Sequence, residues 1–258
     1  MSDVADWWQT SIIDMEPGRI SIRGEEIQDL IGNLSFAEMV WLMICGTKPD
    51  LGQARLLEAA LVAAVDHGPQ APSIAAARMA VTCGLGLNGA IGTAVHMLDD
   101  VHGGAGEQLV EWLYQLSGAG TEADIGEEIS AYQANVNSFI PGFGHRFHKP
   151  ADPRAPRLMT LVAEARDNGV VPGRFMDLAM AIERHLAERK GRPVPMNIDG
   201  ATAVIFAELG LAPPLARGLF CLSRAVGAMA HGHEQMQQGG RNKGPTPPHY
   251  RWRYSGKD

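Results

Sequence analysis

The sequence predicts an all-α protein. Apolar residues recur at helical spacing over most of the chain, helix-opening and helix-closing residues separate those runs, and strand-like alternation is nearly absent. The exception is Arg19-Ile20-Ser21-Ile22-Arg23-Gly24-Glu25-Glu26-Ile27, which alternates briefly and predicts a short strand or hairpin arm ahead of the first long helix. Ser35-Phe36-Ala37-Glu38 has capping-box form and opens a helix to about Ile44, closed by Gly46. Leu56, Leu57, Ala60, Leu61 and Ala64 mark a second helix, ending near His67-Gly68-Pro69. Pro72-Ser73 caps an alanine-rich helix to Cys83. Asn88 or Gly89 begins another to about Asp100, and the glycine-rich 102–106 turn begins the next. Thr121-Glu122-Ala123-Asp124 caps a helix to about Val136, and helices at about 153–167, 173–189, 199–209 and 214–238 follow. Gly239-Gly240 ends the last, leaving 241–258 as an irregular Pro- and Arg-rich tail.

A chain of 258 residues can bury one core or a core split into two lobes. With 45% apolar and 20% charged residues, its composition is that of an ordinary soluble globular protein. A net charge of -7 argues against nucleic acid as a partner, and an anionic substrate must then be drawn by local cations. Cys45, Cys83 and Cys221 are widely spaced, with no Cys-x-x-Cys pair, which fits reduced thiols in a cytoplasmic protein better than a disulfide or zinc framework. Residues 1–8 are acidic and carry no apolar h-region, so no signal peptide is expected. No run approaches ~18 uninterrupted apolar residues, so no membrane span is expected either.

The richest stretch for chemistry is 140–154. Gly142 and Gly144, in a Pro-Gly-x-Gly spacing, let the backbone approach a ligand closely. His145 follows, then Arg146, Lys149 and Arg154, and Asp152-Pro153 reads as the launch of a helix. A polyanionic ligand beside a proton-transfer group suits this loop; a solvated Gly/Pro turn with incidental charges is the plainer account. His67 at a helix's C-terminal end is favoured as imidazolium, either to bind a carboxylate or simply as a helix-end charge. His102, before Gly103-Gly104-Ala105-Gly106, sits at a helix N-terminus that keeps the ring neutral, as an oxyanion donor or as a buried, satisfied histidine. Asp199 is either an N-cap or a general acid/base. Arg224 lies among apolar residues of the last helix and must meet an anion there, a structural carboxylate or a ligand.

Three patterns carry less. Gly84-Leu85-Gly86-Leu87-Asn88-Gly89 has dinucleotide-loop spacing but follows an alanine-rich helix where a strand is required. His231-Gly232-His233-Glu234 resembles metal ligands, yet i and i+2 on a helix point apart, so no metal site is expected. The 12 methionines are scattered and read as core filler.

Taken together and in order, His67, His102-Gly-Gly-Ala, Pro-Gly-x-Gly-His145 with Asp152-Pro-Arg154, Asn-x-Asp199 and Ser-Arg224-x-x-Gly resemble the citrate synthase superfamily over roughly residues 19–235. Asp66-His67-Gly68-Pro69, Gly144-His145-Arg146 and Asn197-Ile198-Asp199-Gly200 are most similar to citryl-CoA lyases, both stand-alone and as the last module of ATP-citrate lyase. The resemblance implies a large helical lobe (about 1–104 and 205–258) and a small one (about 105–204), with the active site in the cleft between them. It implies a Claisen condensation or its reverse on a coenzyme A thioester substrate, with citryl-CoA, acetyl-CoA and oxaloacetate as small-molecule partners. No tightly bound cofactor or metal is implied, and a homodimer is. In roles, it makes Asp199 the acid/base at carbon, His102 the donor to the enol oxygen, and His145 the proton exchanger at the hydroxyl or carbonyl. His67, Arg146, Arg154 and Arg224 become carboxylate binders, and Gly142, Gly144 and Lys149 coenzyme A contacts. Two departures stand out. The chain lacks much of the helical region that precedes His102 in full-length citrate synthases, and His249 stands where the family's C-terminal Arg-Pro-x-x-x-Tyr-x-Gly pattern has its arginine.

Overall fold

A small antiparallel sheet precedes the long helices in the computed structural model, which describes residues 2–117, 122–145, 148, 151–242, 246–247 and 249–256. After α1 (Ser2–Trp7), strands β1 (Ile13–Glu16), β2 (Arg19–Ile22) and β3 (Glu25–Glu26) pair in that order. Arg23 and Gly24 both take positive φ, 52 and 84°, which is the twist a two-residue hairpin turn needs. The hairpin expected around 19–27 thus extends one strand earlier, to Ile13, and leaves the all-α class unchanged.

The helices then follow as α2 (Ile27–Leu30), α3 (Phe36–Cys45), α4 (Leu51–Ala64), α5 (Pro72–Thr82), α6 (Leu87–His96) and α7 (Ala105–Leu116). Next come α8 (Glu122–Asn135), α9 (Arg154–Asp167), α10 (Arg174–Lys190), α11 (Ile198–Glu208) and α12 (Pro213–Gln238). The capping box at Ser35 and Glu38 forms with both reciprocal bonds, and Gly46 closes α3 in the left-handed region. Helix α4 starts five residues ahead of the apolar run, because Asp50 and Gln53 cap it reciprocally (Gln53 N to Asp50 Oδ1 2.8 Å, Asp50 N to Gln53 Oε1 2.9 Å). Helix α6 stops at His96 and not near Asp100, where the chain turns so that Asp99 N donates to the His102 carbonyl at 3.0 Å.

The chain divides into two compact units. The first comprises Met1–Ala60 and Leu113–Leu211. Its core includes Val162, Phe175, Ile182 and Ile205, and every residue of α11 except Asp199 is buried. Buried Glu208, on α11, accepts from the amides of Gly173 (2.8 Å), Phe175 (2.7 Å) and Met176 (3.0 Å). It supplies the anionic cap that the α10 start, at Gly173, has no side chain to provide. Within this unit, side-chain-free Gly52 packs so closely on Val170 that a Cβ would lie 2.5 Å from Val170 Cγ2.

The second unit comprises Leu61–Trp112 and Ala212–Asp258. Here α5, α6 and α12 pack through small residues, Ala71, Ala77, Ala90, Ala94 and Ala228 around Ile74, so that helix axes approach closely. A second cluster joins Ala64, Leu98 and Phe220. Among the described residues, no helix is long and apolar enough to cross a membrane.

Candidate active site

In the first unit, the loop 140–145 is laced to 195–197 by backbone bonds. Gly144 N donates to Pro195 O (2.7 Å), Asn197 N donates to Gly142 O (3.0 Å), and Phe143 bridges Met196. Gly142 and Gly144 lie at φ 82 and 80°, where a side chain is strained. The Gly144 amide is therefore engaged by the 195–197 segment. Asn197 fixes the start of α11: its Oδ1 accepts from Asp199 N (2.9 Å) and Gly200 N (3.1 Å), and its Nδ2 donates to Gly144 O (2.7 Å). Asn197, not Asp199, is the N-cap, so the half-buried Asp199 carboxylate stands in the first helical turn with the cap duty already met. That removes the plain account of Asp199 as a capping residue.

Asp152 is fully buried and acts as a lock. Its Oδ1 accepts from Arg154 N (3.1 Å) and Nε (2.9 Å), and its Oδ2 from Arg154 Nη2 (2.8 Å) and Ile198 N (3.2 Å). Burial alone would raise the Asp152 carboxyl, but the bonds and charge of Arg154 outweigh it and hold the group at about 2. One edge of the Arg154 guanidinium is thereby aligned by a bidentate pair. His145 Nδ1 accepts from His148 N at 2.9 Å, so the neutral ring carries its proton on Nε2. Burial, and then the charge of His148, lower the His145 imidazole against the pull of Asp152. His145, His148 and Asp152 present ligand atoms within 4.8 Å of one another. As metal ligands they fit poorly: both Asp152 oxygens already hold two donors each, and a cation there would compete with Arg154. Arg146 and Lys149 lie outside the described residues.

In the second unit, His102 precedes α7 by three residues, in a turn, and is not itself at a helix start. What fixes its ring is a different helix start, that of α5. Ser73 N donates to His102 Nε2 at 3.2 Å, with Ser73 Oγ 3.0 Å away. A backbone N–H can only donate, so Nε2 is the acceptor and the neutral ring keeps its hydrogen on Nδ1. Burial depresses the His102 imidazole and the charge of Arg224 adds to it, so the ring stays neutral at physiological pH. Arg224 is 3% exposed; its Nε donates to Ala64 O, the last carbonyl of α4, at 3.2 Å, and its guanidinium carbon lies 4.9 Å from the Phe220 ring centre. These partners are a helix-end dipole and an aromatic face, neither of which the sequence suggested. His67 is exposed, three residues past the end of α4 and held in a turn where Gly68 N donates to Asp66 Oδ2 at 3.0 Å.

The structure thus gathers Gly142, Gly144, His145, Arg154 and Asp199 in the first unit, and His67, His102 and Arg224 in the second. Sequence reasoning missed Asn197 as the cap, Ser73 as the ring-fixing partner and the full lock at Asp152. Only Asn197 left a signal, an amide two residues ahead of a helical carboxylate.

A neutral imidazole held as an Nδ1 donor, a second one held as an Nε2 donor and arginines fixed by bidentate or helix-end contacts define a helical protein suited to proton transfer beside acidic groups. Comparison with known proteins narrows that class. The family model for the citrate synthase C-terminal domain matches residues 33–251. The chain belongs to the citrate synthase family. The citrate synthase of Acidithiobacillus ferridurans is 29% identical over 209 residues, 79% of this chain but 52% of that protein. The chain spans about half the length of the curated relatives it matches. Citryl-CoA lyase from Hydrogenobacter thermophilus superposes with a TM-score of 0.86 at 31% identity, covering 97% of this chain and 95% of that one. A citrate synthase from Pyrobaculum aerophilum gives 0.69 at 26% identity, covering 86% and 55%. The ATP citrate lyase of Methanothrix soehngenii, solved with citrate and coenzyme A, shares the fold at 0.81 and 20% identity, over 42% of its length.

Proposed function

We propose that the chain is a citryl-CoA lyase, cleaving citryl-CoA to acetyl-CoA and oxaloacetate by a retro-Claisen reaction. One observation carries the choice: over the residues of this chain the likeness to a citryl-CoA lyase is the greater, a TM-score of 0.86 at 31% identity against 0.69 at 26% for a citrate synthase. In cleavage, the tertiary hydroxyl proton passes to the His145 ring as the carbon–carbon bond breaks: the ring starts with its hydrogen on Nδ1, takes the proton at Nε2, and once the Nδ1 proton has left to solvent it rests in the Nε2–H form that the His148 amide favours. His102 Nδ1–H stabilises the enolate oxygen of the departing acetyl thioester, and Asp199 delivers a proton to its carbon. A donor in place before charge develops and a positioned acid are each worth about 10²–10⁴ in rate. His67, Arg154 and Arg224, with Arg146, bind the carboxylates, and Lys149 with the Gly142–Gly144 loop takes the coenzyme. The thioester is substrate, no tightly bound cofactor is needed, and the working form is a cytoplasmic homodimer.

The names of the sequence relatives favour a second reading, a short citrate synthase that also hydrolyses the thioester. Incubating the purified protein with citryl-CoA separates the two. Oxaloacetate, followed by coupled NADH oxidation, without free coenzyme A thiol is the outcome expected of a lyase. Citrate with free thiol and no oxaloacetate would replace it with the synthase reading.

A further inference from the structure

His231, on α12, has no role in the reaction above, yet it completes a contact that holds the residue next to His67. Three residues of α12 at i, i+4 and i+8, Ser223, Gly227 and His231, form one stripe along that helix. Each meets the end of α4 or the turn beyond it. Ser223 Oγ donates to Leu61 O at 2.5 Å. Gly227 lies so close to Val65 that an added Cβ would overlap its carbonyl oxygen. His231 Nε2 is 3.3 Å from Asp66 Oδ1.

The tautomer of His231 follows from its other side. Arg78 Nη1 lies 3.3 Å from His231 Nδ1 and, as a guanidinium, can only donate. Nδ1 is then the acceptor, and Nε2 carries the hydrogen that faces Asp66. Arg78 is itself held by Glu234 Oε2 and Gln238 Oε1, both at 2.6 Å. Asp66 Oδ1 is buried, with the His231 N–H set against it, and the His67 amide also bonds the Asp66 carboxylate. Asp66 Oδ2 meanwhile accepts from Gly68 N, closing the turn that carries His67. Burial would raise the Asp66 carboxyl, but the Gly68 amide and His231 bring it below its usual value.

We propose that His231 is a positioning residue: through Asp66 it fixes the Asp66-His67-Gly68 turn, and so the direction in which His67 meets a substrate carboxylate. The inference rests on the role given to His67 above. The test is steady-state kinetics with citryl-CoA on His231→Ala, His231→Gln, His67→Ala and the His67→Ala/His231→Ala pair, each with a thermal melt. His231→Ala should raise KM about tenfold, which corresponds to about 1.4 kcal/mol, with kcat within about threefold. Glutamine, whose amide can donate from near the Nε2 position, should restore most of the affinity. On the His67→Ala background the His231 change should add nothing, because the group it orients is gone. An unchanged KM in His231→Ala, or equal increments on both backgrounds, would overturn the proposal and leave His231 a packing residue. If His67→Ala itself leaves KM unchanged, the proposal falls with its premise. Absence of wild-type turnover is a failure of the lyase reading alone; the same four proteins are then compared by calorimetric Kd for oxaloacetate, with the same pattern required.

Discussion

Two glycines do the same work in the two units with different surroundings. Gly200, in the first turn of α11, admits the Gly142 carbonyl where a Cβ would stand, and Gly227, in the middle of α12, admits that of Val65. Each close approach sets a helix bearing a candidate functional residue, Asp199 or Arg224, against the segment bearing another, His145 or His67. Around Gly200 the contact is closed mainly by backbone bonds, Gly144 to Pro195 and Asn197 to Gly142. Around Gly227 it is closed by side chains reaching carbonyls, Ser223 to Leu61 and Arg224 to Ala64, with His231 facing Asp66. A frame of backbone bonds survives most side-chain replacement, whereas a frame of side-chain bonds is as vulnerable as its members. Substitutions of functional side chains should therefore separate chemistry from folding in the first unit and mix them in the second.

The largest effect is expected where the separation is cleanest. Asp199→Ala removes a carboxylate whose helix start is capped by Asn197, so the fold should stand while kcat for citryl-CoA falls by about 10² or more. Turnover above about a tenth of wild type, an effect under ~1.4 kcal/mol in barrier, would remove Asp199 from the proton transfer. A melting temperature lowered by more than a few degrees would instead show that its carboxylate supports the fold, and the contrast between the units would narrow.

Alanine at the two glycines tests the shared feature. Gly200→Ala and Gly227→Ala each force a methyl against a carbonyl oxygen, and overpacking of this kind costs about 1–3 kcal/mol. Gly200→Ala should show the greater loss by urea unfolding, since the opposing Gly142 carbonyl is tied into the backbone ladder and Met196 Cγ crowds the same space at 2.7 Å. Gly227→Ala faces the looser end of a helix and a turn, so part of its cost should appear as weaker substrate binding. Equal losses of stability with unchanged KM in both would show that the two frames are equally rigid.

What the sequence revealed follows the same division. Helices α3, α5, α9, α10, α11 and α12 were visible because caps, glycines and apolar spacing are local. The candidate residues His67, His102, His145 and Asp199 came from their order along the chain, through its resemblance to the citrate synthase superfamily. The tautomers were not, because each is set by a partner that the chain supplies elsewhere or through its backbone: Ser73 for His102, the His148 amide for His145, Arg78 for His231. His102 illustrates the point. A helix start beside it was expected to keep the ring neutral; burial and the charge of Arg224 do so instead, and the amide that fixes its tautomer belongs to α5, 29 residues earlier. The partners of Arg224 were hidden for the same reason, since the Ala64 carbonyl becomes an acceptor only because α4 ends there.

The smallest effect on the comparison is a matter of pH, and it concerns a charged side chain on which the first unit does rely. Asp152 is held at about 2 in the folded chain against an ordinary value of 3.8, so its charge stabilises the native state. Because the folded value is the lower one, that stabilisation is complete above about 3.8 and is lost as pH falls through about 2. The gap corresponds to an order of magnitude of about 2 kcal/mol. Asp152→Asn keeps the shape but replaces an accepting oxygen with a donating NH2, set against Arg154 and the Ile198 amide. Urea unfolding should find the variant less stable by about 2 kcal/mol or more at pH 7. The difference should begin to shrink below about pH 4, where the carboxylate of the unfolded wild-type chain takes up its proton while the folded one does not. A difference that stays constant from pH 7 to pH 3 would mean that the carboxylate's shape, and not its charge, holds Arg154 and the start of α11. The first unit's frame would then owe nothing to the Asp152 charge, and the contrast with the second would sharpen.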